Sequence, residues 1–170
     1  MKLIKLFEEY NTDYLAFNDE YLSIHKILNG ANKGKIRFIL HDPLTGGGDY
    51  KYSMMGGCGY ILGTKYDKMP EVRNITVGGF RKVPTNTMEH IFNDFIEDMG
   101  YEDLVYAHER KIKEDLLKNF GDEIKKVAEE SYNLGDILDG LKNIQNKVFS
   151  HLKNDYEEWR LKKDTDKYNL

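Results

Sequence analysis

The chain has 170 residues, 40% of them hydrophobic and 32% charged, with a formal net charge of −4. That is the length of one ordinary domain, with enough apolar content to bury roughly 70% of the surface an unfolded chain exposes. Mild acidity argues against direct nucleic-acid binding, which favours basic chains, and one cysteine permits neither an intrachain disulfide nor a zinc site of its own.

A reducing, cytoplasmic setting is the expectation from this cysteine usage. The opening "MKLIKLFEEY" is broken by Lys5 and followed by Glu8 and Glu9, so it lacks the apolar core of a secretory signal. No run approaches the ~20 apolar residues of a membrane span. Twenty lysines stand against five arginines, and thirteen isoleucines and thirteen asparagines against four alanines. This is the residue usage of an AT-rich genome, such as that of a bacterium, its phage or a mobile element.

The expected fold class is α+β in a single domain, with residues 1–34 helical, 35–83 an antiparallel sheet, 84–164 helical and 165–170 a tail. In the first part, Leu3, Leu6, Phe7 and Tyr10 form one apolar face. Tyr14, Phe17, Tyr21, Ile24 and Leu28 continue it at spacings of three and four. "NGANKG" at 29–34 stops that pattern.

The sheet region predicts three to four strands. "KIRFILH" alternates, with Ile36, Phe38 and Leu40 on one side, and "DPLTGGGD" has turn composition. "YKYSMM" and "GYILG" read as two halves of one strand bent at "GGCG", and "VRNITVGGFRKV" as a further strand. Three to four helices follow, expected over about 86–99, 102–120, 122–134 and 136–162, with breaks at Gly100, Gly121 and Gly135. The final helix carries Ile137, Leu141, Ile144, Val148, Leu152, Tyr156 and Trp159 on one side. Its length, about 40 Å at the helical rise, raises the reading of a homodimer joined through it.

Candidate chemistry is sparse. The glycines of "GCGYILG" lack the strand-before, helix-after context of a phosphate cradle. Cys58 with His41 at the end of the preceding strand is a conceivable thiol site, but a lone cysteine is more often a buried hydrophobe. His41, Asp42 and Asp49 offer one imidazole and two carboxylates near a turn, which ordinary turn chemistry also explains. No metal or cofactor is expected. Tyr50, Tyr52, Met54, Met55 and Tyr60 suit a partner-binding sheet face, since Tyr and Met are favoured at interfaces.

Charge distribution is the sharper signal. Residues 1–85 carry twelve basic and nine acidic side chains, whereas residues 86–170 carry thirteen and twenty. No Lys or Arg lies between Lys82 and Arg110, but Glu89, Asp94, Glu97, Asp98, Glu102, Asp103 and Glu109 do. Side chains four apart on a helix are neighbours, so these acids predict an anionic face able to imitate a nucleic-acid backbone in another protein's basic groove. Lys65, Lys68, Arg73, Arg81 and Lys82 are the cations available to neutralise it within the fold.

The leading expectation is therefore a non-enzymatic binding or inhibitor protein. Its partner is a protein, in the concrete version a basic nucleic-acid-binding enzyme, with no direct contact to nucleic acid or membrane. The form that fits residue usage is an anti-defence inhibitor of the anti-CRISPR type, carried by a phage or mobile element. The alternatives are a small enzyme or small-molecule site around His41, Asp42, Asp49 and Cys58, and an oligomer-forming structural phage component.

Overall fold

Asp19 organises the start of the described chain. Its carboxylate accepts the backbone N–H groups of Tyr21 and Leu22, both at 2.8 Å, and its own N–H donates to the Leu22 carbonyl at 2.9 Å. This side-chain-closed turn joins two strands, β1 (Asp13–Asn18) and β2 (Leu22–Ile27), where helix was expected. The three-and-four spacing of Tyr14, Phe17, Tyr21, Ile24 and Leu28 is therefore not a buried helical stripe: Tyr14, Tyr21 and Leu28 are exposed, and only Ile24 is fully buried.

The computed structural model describes residues 13–30, 33, 36–41, 49–53, 61–77, 83 and 85–168. Residues 2–12 of the expected helical segment lie outside them. The two further strands, β3 (Ile36–His41) and β4 (Asp49–Ser53), complete an antiparallel meander in the order β1-β2-β3-β4. The alternation read in β3 holds, with Ile36 and Phe38 buried, and Ile24 pairs across to Phe38. An irregularity between Leu15 and Phe17 offsets the register of edge strand β1.

Neither strand expected over 59–63 and 72–83 forms among the described residues. Ile61 is helical, a 3-10 turn covers Tyr66–Lys68, and α1 (Pro70–Arg73) begins on a proline at its first position. Of the strand expected over 72–83, only an isolated bridge from Thr76 to Asn133 remains. Ile75 and Val77 reinforce it through backbone bonds to Leu134 and Tyr132. Met54–Tyr60 and residues 78–82 lie outside the described residues.

Three long helices then pack together: α2 (Thr85–Met99), α3 (Glu102–Glu130) and α4 (Leu134–Tyr168). Gly100, at φ +70°, ends α2 with the Gly100 N–H on the Glu97 carbonyl and the Tyr101 N–H on that of Ile96, the Schellman closure. Gly121 does not break α3. It is buried, and the Met88 sulfur lies 3.6 Å from the place a Cβ would occupy. Packing of α2 thus outweighs a propensity cost of about 1 kcal/mol. The break falls at Ser131–Asn133, where Asn133 caps α4 through the Asp136 N–H at 2.8 Å.

The core joins the sheet to the bundle. Leu22, Ile24, Ile36 and Phe38 share one buried cluster with Ile91, Phe92 and Phe95 of α2 and the α4 stripe Ile137, Leu141, Ile144, Val148 and Leu152. Full burial of side chains of this size contributes roughly 1.5–3 kcal/mol each. Arg73 ties α1 to α4, with one nitrogen 2.9 Å from Asp67 and the other 2.6 Å from Asp139.

Asp19 also links sheet and helices, receiving the Tyr66 hydroxyl at 3.3 Å with Lys65 at 3.7 Å. Burial alone would raise the Asp19 pKa, but the Tyr21 and Leu22 N–H groups, Lys65 and Tyr66 together hold it below the usual carboxylate value. A depressed folded-state pKa stabilises above the unfolded value and is lost as pH falls through the folded one. Asp19→Asn is therefore expected to cost about 1 kcal/mol at pH 7 and to shrink the difference from the parent in acid, below about pH 4. Urea unfolding at pH 7 and pH 3 measures it, and an unchanged gap between the two proteins would contradict it.

Candidate functional site: a carboxylate-rich corner

The acidic residues singled out in the sequence do not form one continuous face. Asp94 is buried, only 9% exposed, among Ile91, Phe92 and Phe95 on the core side of α2, and Glu89 is half-buried. Asp94 is therefore removed from the anionic surface, and a lysine there would be forced into the core. Glu97, Asp98, Glu102 and Asp103 are exposed and flank the Gly100 turn, so the acidic feature is a corner where α2 ends and α3 begins.

The corner is braced from α4. Gln145 donates its side-chain amide to Asp98 at 3.0 Å, and Lys163 approaches Asp103 at 3.7 Å. The Asp98 pKa is raised, first by partial burial and then by Glu97, while the Gln145 bond works in the opposite direction. Among the cations considered for neutralising these acids, Lys65 meets Asp19, and Arg73 meets Asp67 and Asp139. Their described ion pairs thus lie elsewhere, and the described cation at the corner is Lys163.

Beneath the carboxylates lies a stack of aromatic rings that sequence reasoning did not find. Tyr101, the residue after the turn glycine, is 8% exposed and lies between Phe149 and Tyr156. Its ring centroid is 5.7 Å from the first at 16° and 4.2 Å from the second at 15°. Tyr156 continues to Trp159 at 5.9 Å, and the Lys163 ammonium lies 4.7 Å from the Trp159 ring. Burial first, then Glu157 and Tyr156, raises the Tyr101 hydroxyl pKa, which brings a fifth exposed carboxylate, Glu157 of α4, into the electrostatic surroundings of the corner. A signal for Tyr156 and Trp159 was present in the α4 stripe; nothing local in the sequence joined them to Tyr101.

The arrangement sets exposed carboxylates beside a stacked aromatic base. Among the described residues, no group of three or more His, Cys, Asp or Glu side chains is placed to hold a metal ion, and no helix is long and apolar enough to cross a membrane.

Of the sheet residues, Tyr50 and Tyr52 lie in β4, their backbones opposite Leu40 and Phe38. Met54, Met55 and Tyr60 lie outside the described residues, as do Asp42 and Cys58. His41 at the end of β3 stands opposite Asp49 at the start of β4, so two members of the alternative site are brought together in the backbone register. Comparison of the chain with protein-family models, with curated proteins and with solved structures finds no match in any of the three.

Proposed function

We propose that this chain is a non-enzymatic binding protein that docks on a partner protein through the corner formed by Glu97, Asp98, Glu102 and Asp103. The observation that carries the reading is the exposure of all four carboxylates around one rigid turn, next to a stacked aromatic base. Fixed charge held by packed elements costs little ordering entropy on binding. A dense anionic corner selects a basic partner and speeds its encounter.

The concrete form is an inhibitor that occupies the basic nucleic-acid groove of a host enzyme, acting in the cytoplasm of a bacterial cell as an anti-defence factor of the anti-CRISPR kind. Residue usage typical of an AT-rich genome supports a phage or mobile-element origin.

The test is capture from host lysate by the tagged protein, with bound proteins identified by mass spectrometry. The parent is compared with a variant carrying Glu97→Lys, Asp98→Lys and Glu102→Lys. Asp94 is left unchanged because it is buried. The variant is expected to retain its helical circular dichroism and to lose at least tenfold in partner affinity at low salt, the loss shrinking as salt rises. Equal capture by both proteins at low salt would exclude the corner as the docking site.

A further inference from the structure

Two pairs in the chain place a glycine directly after a side chain that can cyclise onto it, Asn29–Gly30 and Asp139–Gly140. In such a pair the glycine nitrogen can attack the side-chain carbonyl carbon, because no Cβ on the glycine crowds the approach. The attack closes a five-membered ring. It requires the rigid peptide plane between the two residues to turn, which changes the ψ angle of the first. An α-helix fixes that angle together with its hydrogen bonds, so the fold decides which pair can react.

Asp139–Gly140 lies inside α4. The Asp139 carboxylate accepts from Arg73 at 2.6 Å, and the γ-carbons of Val127 stand 2.7 Å from where a Gly140 Cβ would be. The peptide plane there cannot turn without breaking the helix and its contact with α3. Asn29–Gly30 lies past the end of β2 at Ile27, in an exposed bend on the way to β3. Gly30 has φ +78°, and a Cβ built on it would meet nothing within 4 Å. The turn bond from the Lys33 N–H to the Gly30 carbonyl, at 3.1 Å, is on the far side of Gly30 and outside the peptide plane that must turn.

We propose that Asn29 is a site of spontaneous covalent modification, converted by the Gly30 nitrogen to aspartate and isoaspartate through a cyclic imide. The Gly30 nitrogen gives up its proton to solvent, and its electron pair forms a bond to Asn29 Cγ. The Cγ–Nδ2 bond breaks, and Nδ2 leaves with a proton from solvent as ammonia. Water then adds to one of the two ring carbonyls. Opening at Cγ breaks the new bond and leaves aspartate, whereas opening at the main-chain carbonyl breaks the original peptide bond and leaves isoaspartate. No atom changes oxidation state. Either product adds one negative charge. Isoaspartate also lengthens the main chain by one carbon between Lys26 and Ile36, which pair at the end of β2 and the start of β3.

The test incubates the purified protein at pH 8 and 37 °C for several weeks. Tryptic peptides are followed by mass spectrometry, with fragmentation that separates aspartate from isoaspartate. The peptide released between Lys26 and Lys33 is expected to show the amide-to-acid mass gain at Asn29, with both isomers present, at least tenfold faster than any other asparagine of the folded protein. Asp139 is expected to stay unisomerised until guanidinium chloride unfolds the chain, and then to isomerise at least tenfold faster. Gly30→Ala is expected to slow the Asn29 conversion at least tenfold, with circular dichroism confirming that the variant folds. The folded and unfolded comparison uses the parent protein alone, so it decides the matter even if that variant does not fold.

Faster conversion at another asparagine of the folded protein, isoaspartate at Asp139 ahead of Asn29, or Gly30→Ala converting as fast as the parent would each overturn the proposal. So would an Asn29 that converts only after unfolding, because the bend would then be holding the pair fixed. None of these residues belongs to the Gly100 corner, so the outcome is independent of partner capture.

Discussion

Gly140→Ala is expected to destabilise the protein by about 2 kcal/mol, although the same change in an exposed helix interior stabilises by roughly 1 kcal/mol. The reason is the close approach of α3 to α4. A Cβ at Gly140 would lie 2.7 Å from both γ-carbons of Val127 and 3.3 Å from its Cβ, and Val127 is short and branched, with little freedom to turn away. The helices must separate there, and their separation also sets the reach of the Asp115–His151 and Asp103–Lys163 ion pairs between them. Gly140→Leu is expected to cost more than 3 kcal/mol. Pairing Gly140→Ala with Val127→Ala should recover most of the loss, a coupling that a double-mutant cycle by urea unfolding isolates. A single variant more stable than the parent would show that the helices do not pack this closely.

The parts of the fold that were legible share one property: a long run with a single dominant period. The α4 stripe from Ile137 to Leu152 is buried as read, because phase error does not accumulate over about four turns where every third or fourth residue is apolar. The segment at 14–28 was misread because its apolar spacing fits two periods, and the deciding feature is the Asp19 side chain folding back on Tyr21 and Leu22. Gly121 and Gly135 were read as breaks. Both lie within helices; at Gly135 the Arg73 side chain comes within 3.1 Å of where a Cβ would stand, whereas at Gly121 a Cβ would make only ordinary contact with the Met88 sulfur.

The candidate site was legible in composition but not in geometry. Counting carboxylates found the stretch from Glu89 to Asp103. The same helical period places Asp94 three residues from Ile91 and seven from Thr87, both buried, so its removal from the surface was readable from the phase. The aromatic base was not, because Tyr101 meets partners 48 and 55 residues away. Such contacts depend on the angle and separation of two helices, which no local pattern states.

Tyr101→Ala is expected to be the most damaging single change at the corner, lowering the unfolding free energy by about 3 kcal/mol and the midpoint temperature by roughly 6–12 °C for a chain of this size. Removing a ring that is 8% exposed leaves a cavity between Phe149 and Tyr156, whose rings then lose their central contact. Tyr101 is also the residue whose N–H closes α2 on the Ile96 carbonyl. With the ring gone, the turn is no longer pinned to α4, and Glu97 and Asp98 can rotate relative to Glu102 and Asp103. The partner-facing charge is unchanged in number but no longer fixed in place, so capture should weaken even at temperatures where Tyr101→Ala is fully folded. Tyr101→Phe keeps the stacked ring and is expected to stay within about 1 kcal/mol of the parent and to retain capture. Thermal unfolding combined with capture at 10 °C separates the two roles: if Tyr101→Ala loses stability but captures the partner as the parent does, the aromatic base holds the bundle without positioning the corner.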